Sequence, residues 1–171
     1  FVQNLQFDFF NYAGIHRRVR LYTTPAHDHI NDIDIIPALD LHAKTATIEY
    51  RVDAAVGSGH KIRVEILDQD NKVLASNEDG KETGKMDLEN VQLWWPYTES
   101  LQDYTYRYTF KVSIVSAAAA AAGTDTAAVY DVYRQKFGVR DVKVTDTQVL
   151  INGKPFYCHG AAKHEDSDLR G

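Results

Sequence analysis

Side chains that could do chemistry are densest near the carboxyl end of the chain, in residues 158–170. The cluster combines a thiol, two imidazoles, three carboxylates, an ammonium and a guanidinium: Cys158, His159, Lys163, His164, Glu165, Asp166, Asp168 and Arg170. Zinc binding by Cys158, His159 and His164 is one interpretation, but their spacing fits no common structural-zinc pattern. If this chain contributes to chemistry, we expect the contribution to come from this cluster.

A strand and a tight turn precede the cluster. Val149 and Ile151 alternate with their neighbours, and Asn152-Gly153 separates this run from a second one containing Phe156. An Asn-Gly pair between two apolar runs is a strong hairpin signal. The hairpin leads the chain into the polar cluster, and α/β barrels place their sites at the carboxyl ends of strands. A barrel takes roughly 250 residues, so this stretch is expected to be only the first piece of one.

Composition sets the broad class of the protein. The 171 residues are 44% hydrophobic and 25% charged, with a net charge of −5, which is typical of a folded domain and disfavours nucleic acid as a partner. The single cysteine cannot form an intrachain disulfide. No apolar run approaches the roughly 20 residues that cross a bilayer, so no membrane partner is expected. The only methionine is Met86, which suggests a processed or truncated chain.

The middle of the chain repeats a period-two pattern. Apolar residues alternate with polar ones in three clear runs, over residues 46–54, 62–66 and 104–114. This alternation predicts half-buried antiparallel strands. With the turn signals between them, about seven strand-like segments predict an immunoglobulin-like β-sandwich. The alanine run 117–122 is expected to be a loop, and residues 130–144 should resume strand structure with a bend at Gly138.

Three further features have both a structural and a functional interpretation. Asp8 lies among four aromatic residues, either as a paired structural acid or as a ligand-facing group. Residues 25–32 are expected to be a polar linker, in which His27, Asp28 and His29 are solvated rather than metal ligands. The adjacent Trp94 and Trp95 either stack on sugar rings or close the end of the sandwich.

Several segments together resemble the β-glucuronidases of glycoside hydrolase family 2, and the animal lysosomal enzymes most closely. They are FDFFNYAGIHR (7–17) with LYTTP (21–25), VQLWWPY (91–97), FGVRDVKV (137–144), VLINGKPF (149–156) and KHEDSDLRG (163–171). The resemblance covers nearly the whole chain. It implies the end of a jelly-roll sugar-binding domain at 1–25, an immunoglobulin-like sandwich at 26–140 and the start of a catalytic TIM barrel at 141–171.

The resemblance also implies a function. Members of this family hydrolyse β-D-glucuronides with retention of configuration, using two glutamates that lie later in the barrel than this chain reaches, and Glu165 matches neither. No cofactor or metal is implied, and relatives suggest a homotetramer in lysosomes or outside the cell. Asp8 matches the aspartate that accepts hydrogen bonds from sugar hydroxyls, and His164 matches the histidine that contacts the sugar at the end of the first barrel strand.

Two points qualify this interpretation. Ala161 and Ala162 stand where relatives commonly carry a larger apolar residue followed by Asn, so either the loss of a polar side chain weakens the positioning of the site or the alanines are placeholders for unassigned residues. The alternative function is a non-catalytic β-sandwich module, for interaction or structure, that derives from the same family. The chain alone is expected to hydrolyse nothing, because both catalytic glutamates lie outside it.

Overall fold

The computed structural model describes residues 14–15, 17–99, 105–118 and 128–162. The chain divides into two compact units, Thr24–Phe156 and a second one that joins Phe1–Thr23 to Tyr157–Gly171. Most of the second unit lies outside the described residues. The strands, all within the first unit, are β1 (His29–Asp40), β2 (Thr45–Ala55), β3 (His60–Leu67), β4 (Val73–Asn77), β5 (Thr83–Leu88), β6 (Tyr108–Ser116), β7 (Val129–Phe137), β8 (Val142–Val144), β9 (Val149–Ile151) and β10 (Lys154–Phe156).

Seven of these strands form two antiparallel sheets packed as a sandwich. One sheet has the order β1-β2-β5 and the other β4-β3-β6-β7. The predicted immunoglobulin-like, all-β fold is therefore confirmed. In the common constant-type arrangement the fourth strand joins the first sheet, whereas here β4 pairs with β3.

The core lies between the two sheets and follows the predicted alternation. Its members are fully or almost fully buried and come from facing strands: Ile48, Tyr50 and Val52 of β2, Ile62, Val64 and Ile66 of β3, and Phe110, Val112 and Ile114 of β6. Each such side chain contributes roughly 1.5–3 kcal/mol when it leaves water. The period-two pattern thus assigned the inward faces of β2, β3 and β6 correctly.

The predicted linker at 25–32 is too long. β1 begins at His29, because His29 and Ile30 pair with Ala55 and Ala54 of β2. A register shift between Ile30 and Asp32 then bends the strand. The polar composition of this segment resembled a loop, but the cross-strand hydrogen bonds of an edge strand do not depend on composition.

β6 also begins later than predicted. The alternation started at Tyr104, which lies outside the described residues, but the strand begins at Tyr108. Thr105 has a φ of 58° and its backbone N–H donates to the Trp95 carbonyl at 3.0 Å. This left-handed turn interrupts the extended backbone that the side-chain pattern suggested.

Residues after the sandwich form a small three-stranded antiparallel sheet with the order β10-β9-β8. Asn152 and Gly153 form its two-residue hairpin turn, with φ of 50° and 76°. Positive φ at both positions is the signature of a type I′ turn, and the predicted Asn-Gly hairpin is confirmed. The bend at Gly138 is confirmed as well, since β7 ends at Phe137 and β8 begins at Val142.

The described residues test two other predictions only in part. Ala117 and Ala118, directly after β6, are helical, so the loop expected at the alanine run 117–122 is wrong for these two residues, and residues 119–127 lie outside the described part of the chain. Among the described residues, no helix has the length and apolar character to cross a bilayer.

Candidate functional site

The two predicted sugar contacts, Asp8 and His164, lie outside the described residues, so their roles stay predictions. Of the reactive cluster, Cys158 is described and exposed, and the His159 ring meets the Tyr157 ring edge-on with centroids 4.7 Å apart. No group of three or more His, Cys, Asp or Glu side chains within the described ranges is arranged to hold a metal ion.

The described residues do show how the chain leaves the sandwich and enters the hairpin that leads to this cluster. Asn152, at the hairpin turn, is 7% exposed and bonds to two distant segments. Its side-chain oxygen accepts from Asp141 N at 2.9 Å, its backbone N–H donates to Asp141 O at 2.8 Å, and its amide nitrogen donates to Trp94 O at 2.9 Å. One turn residue therefore joins the hairpin both to the strand before it and to the sandwich.

A close steric contact at Gly138 also connects the segment after β7 to Trp94. A Cβ added to Gly138 would lie 2.8 Å from the Trp94 Cβ, so the backbone after β7 passes directly against the indole. Trp94 N donates to the carbonyl of Val139 at 2.9 Å, and Val139 is fully buried in the core. The junction (Trp94, Gly138, Val139, Asp141 and Asn152) is thus fixed by close contact and by backbone hydrogen bonds.

Tyr108 is hydrogen-bonded to Gln92, just before the two tryptophans. The ring is buried at the start of β6, and the hydroxyl accepts a hydrogen bond from Gln92 N at 2.7 Å. Burial raises the pKa of the Tyr108 hydroxyl, so it stays neutral and keeps its hydrogen bonds at physiological pH. A tyrosine at the start of this strand that bonds back to the backbone matches the tyrosine corner of immunoglobulin-like domains.

The two tryptophans are half-buried, and each has a cation over its ring. The Arg140 guanidinium carbon lies 4.8 Å from the centroid of Trp94, and Lys154 Nζ lies 4.8 Å from the centroid of Trp95. Trp94 packs against the backbone of Gly138 and carries Arg140 over its ring, so it closes the end of the sandwich. This matches the structural interpretation of Trp94, and the sugar-stacking interpretation gains no support there.

Asp28 is a correction to the prediction of a solvated loop at residues 27–29. It is 9% exposed and accepts hydrogen bonds from Gly57 N at 2.8 Å and from His60 Nδ1 at 2.9 Å. The His60 ring stacks on Tyr130 with centroids 3.9 Å apart. The Gly57 N–H and then the His60 imidazole lower the pKa of the Asp28 carboxyl. Asp28 therefore joins the chain before β1 to the β2–β3 turn.

Sequence reasoning missed both of these polar anchors. Asn-Gly indicated the turn, but nothing local indicated that the amide of Asn152 reaches Trp94, 58 positions away. Asp28 and His60 are likewise 32 positions apart. The resemblance did single out the segments 91–97, 137–144 and 149–156, which is where the junction lies.

Comparison with known proteins places this architecture in a family. The profile of glycosyl hydrolases family 2 matches residues 28–140, which contain the sandwich. The profile of the glycosyl hydrolases family 2 TIM barrel domain matches residues 142–171, which contain β8, β9 and β10. The prediction of a sandwich followed by the start of a barrel domain is confirmed.

Curated relatives and solved structures point to the same family. The chain is 42% identical over 171 residues to the β-glucuronidases of Felis catus and of Homo sapiens, covering 100% of this chain and 24% of each relative. The chain thus spans about a quarter of the length of these relatives.

The β-D-glucuronidase structure from Dictyoglomus thermophilum is 36% identical, with a TM-score of 0.71, and the match covers 96% of this chain and 24% of that one. A Ruminococcus gnavus β-glucuronidase in complex with uronic isofagomine is 25% identical, with a TM-score of 0.55, covering 78% of this chain and 19% of that one. By its sequence and its fold, the chain belongs to glycosyl hydrolases family 2.

Proposed function

We propose that this chain is an internal part of a β-glucuronidase, a glycosidase that hydrolyses β-D-glucuronides such as conjugates or the ends of glycosaminoglycans. The observation that carries the proposal is the 42% identity to animal β-glucuronidases along all 171 residues. That identity includes the segment that matches the barrel domain, residues 142–171. A sandwich module without catalytic function would not need to keep this segment.

In the proposed enzyme the reaction retains configuration at the sugar. Retaining glycosidases use two carboxyl groups roughly 5–5.5 Å apart, one as acid/base and one as nucleophile. We assign both to glutamates of the parent protein that lie outside this chain. Residues 1–25 would end the jelly-roll domain, 26–140 form the sandwich, and 141–171 begin the barrel.

Two residues of this chain are proposed to contact the substrate. Asp8 accepts hydrogen bonds from sugar hydroxyls, which an ionised carboxylate does well because both oxygens are acceptors. His164 contacts the sugar and stabilises charge that develops near the reacting ring.

The assembly and location of the parent follow the relatives. A homotetramer in lysosomes or outside the cell is proposed because the animal relatives are 42% identical over the full chain. Sedimentation of the parent protein tests the oligomeric state, and fractionation of the source cells tests the location. A stable monomer, or a parent found only in the cytosol, contradicts these two points.

A chromogenic glucuronide assay tests the activity. The purified parent protein is expected to release the chromophore from 4-nitrophenyl β-D-glucuronide and not from the matching β-D-glucoside. The 171-residue chain alone is expected to release none. No turnover by the parent favours the non-catalytic module, and turnover by the chain alone contradicts the assignment of both glutamates to other segments.

Variants of the parent protein test the two contacts. Asp8→Asn and His164→Gln are expected to lower kcat/KM by about 10²-fold or more, as the loss of a contact to the reacting sugar does. Asp146→Asn, in the loop after β8, serves as the control. Variants at Asp8 and His164 that match this control in kcat/KM and in unfolding temperature would remove both residues from the site.

A further inference from the structure

A cleft of about 600 Å³ opens in the first compact unit, where the end of β7 meets β1, β8 and β9. Its floor includes Ile35, Pro37 and Trp94, and three cations line it as well: Arg107, Lys136 and Arg140. None of the residues that line the cleft is an aspartate or a glutamate. The cleft therefore has one sign of charge in a chain whose net charge is −5.

These three cations have no ionic partner in the part of the chain that the structure describes. Some other basic residues there are paired, such as Arg51 with Asp34 at 2.7 Å and Lys111 with Glu65 at 2.6 Å. Like charges gathered around one cavity repel each other and raise the local concentration of anions. An anion bound in the cleft would reduce this repulsion.

The orientation of the Arg140 side chain is restricted by its contact with Trp94. Its guanidinium lies 4.8 Å from the centroid of Trp94, and Trp94 is itself fixed against Gly138. A planar guanidinium binds a carboxylate or a sulfate through two parallel hydrogen bonds. Because its orientation is already restricted, less conformational entropy is lost when the anion binds.

A second depression next to the cleft combines cations with polar side chains of the kind that bind sugar hydroxyls. Arg107 and Lys136 also line a neighbouring depression of about 420 Å³ together with the hydroxyls of Thr105 and Thr109 and the amide of Asn71. Neutral donors and acceptors of this kind bind hydroxyl groups. Asp68 also lines this depression and accepts backbone hydrogen bonds from Asp70 and Lys72 at 2.9 Å.

We propose that the cleft and the neighbouring depression form a binding site for an acidic saccharide, with a carboxylate or sulfate group between Arg107, Lys136 and Arg140. Three cations next to hydroxyl and amide groups match a ligand that alternates charge with hydroxyls, and the family acts on carbohydrate. A polyglutamate peptide or a DNA strand carries charge without regularly spaced hydroxyl groups. The site goes beyond the proposed hydrolysis and does not depend on it.

Equilibrium titration of the purified protein tests the site. The probes are a hyaluronan octasaccharide, which carries carboxylates, a chondroitin sulfate octasaccharide, which adds sulfates, and neutral chitohexaose. Both acidic probes are expected to bind, more weakly as NaCl rises from 50 to 500 mM because salt screens exposed charges. Binding of the sulfated probe alone would identify sulfate as the group recognised. Equal binding of chitohexaose would overturn the proposal.

Charge variants locate the binding. Arg107→Gln with Lys136→Gln is expected to weaken the acidic probes by about 10-fold, since each exposed charge pair contributes roughly 0.2–1 kcal/mol and 1.4 kcal/mol is tenfold. The double variant leaves Arg140 on Trp94, so the junction stays intact. Arg51→Gln with Lys85→Gln, whose cations pair with Asp34 and Glu49, is the matched control and is expected to bind as the unmodified protein does. Equal affinity in the two double variants would overturn the proposal.

Two further measurements complete the test. A poly-glutamate peptide and a thymidine oligonucleotide are expected to bind more weakly than the acidic saccharides, and tighter binding of either would overturn the choice of ligand class. Hydrolysis of 4-nitrophenyl β-D-glucuronide by the parent protein is expected to be the same with and without Arg107→Gln and Lys136→Gln. If the double variant loses saccharide binding but hydrolyses the glucuronide normally, this site is separate from the proposed active site. If the unmodified parent binds the acidic saccharides but hydrolyses nothing, only the proposed function is contradicted.

Discussion

The sandwich core and the junction that follows it are stabilised in different ways. Among the residues that the structure describes, the core contains sixteen buried hydrophobic residues, most of them from the facing strands of the two sheets. The junction depends on a few directed contacts, chiefly the hydrogen bonds of Asn152 and the close approach of Gly138 to Trp94. A hydrophobic core tolerates substitutions that conserve volume, whereas a buried hydrogen-bonded group has few acceptable replacements. The core therefore provides most of the stability, and the junction fixes the hairpin against the Trp94 segment.

The largest effect is expected in the core. Phe110→Ala removes a fully buried ring from the middle of β6 and should lower the free energy of unfolding by about 3–5 kcal/mol. Urea denaturation of the purified protein measures it. Val144→Ala, at a side chain that is 77% exposed, is the control and should change the free energy by less than about 0.5 kcal/mol. Similar effects at the two positions would contradict the assignment of the core.

Asn152→Ala tests the junction. It leaves Asp141 N and Trp94 O without their partners and places Ala at a φ of 50°, so we expect a loss of about 2–3 kcal/mol in unfolding free energy. Asn71→Ala is the matched control, because Asn71 is exposed and has a φ of 63°. It should show only the conformational part, about 1 kcal/mol. Equal losses at both positions would mean that the Asn152 side chain does not stabilise the junction.

Gly138→Ala separates steric fit from hydrogen bonding. The new methyl would lie 2.8 Å from the Trp94 Cβ, so the two segments must move apart at a cost of about 1–3 kcal/mol. Because Arg140 rests on Trp94, near-ultraviolet circular dichroism of the tryptophans should change as well. Gly160→Ala has no heavy atom within 4 Å of the new methyl and serves as the control. An unchanged tryptophan signal in Gly138→Ala would contradict this close contact.

The smallest effect is expected at Asp28 and depends on pH. Its pKa is lower in the folded protein than the ordinary value of about 3.9, so the ionised carboxylate stabilises the fold above that value. The contribution is lost as pH falls through the lowered pKa of the folded state. We therefore expect Asp28→Asn to lower the unfolding temperature at pH 7, and the difference from the unmodified protein to shrink as the pH falls below about 4. A difference that stays constant down to pH 2 would contradict this role.

The inward faces of the core strands could be predicted from the sequence, whereas the contacts of the junction could not. The inward faces of β2, β3 and β6 followed from alternation, because a strand turns each successive side chain to the opposite face whatever its partners are. The turn at Asn152 and Gly153 followed from their tolerance of positive φ, which is also a local property. The prediction for the start of β1 was wrong because the first residues of the strand are mostly polar and show no alternation, although they pair with β2 from His29 onward.

The candidate site was predictable only as far as resemblance extends. Asp8 and His164 were assigned by matching family motifs, and no physical property of the isolated sequence selects them from the other acids and histidines. The cleft with Arg107, Lys136 and Arg140 had no signal at all, because the side chains come from separate segments and each one alone is an ordinary surface cation. Asp28 appeared solvated for the same reason, since its partners Gly57 and His60 are distant in sequence.

The sequence by itself determined the inward faces of β2, β3 and β6, the hairpin turn, the all-β class and the family, because each of these depends on local backbone preference or on residues that can be compared in order. Only the tertiary structure decided which polar groups meet. Asn152 is hydrogen-bonded to Trp94, Asp28 is hydrogen-bonded to His60, and three cations line one cleft, each because two sheets and a hairpin bring distant segments together. Contacts of this kind depend on the packing of the whole unit, which no short segment specifies.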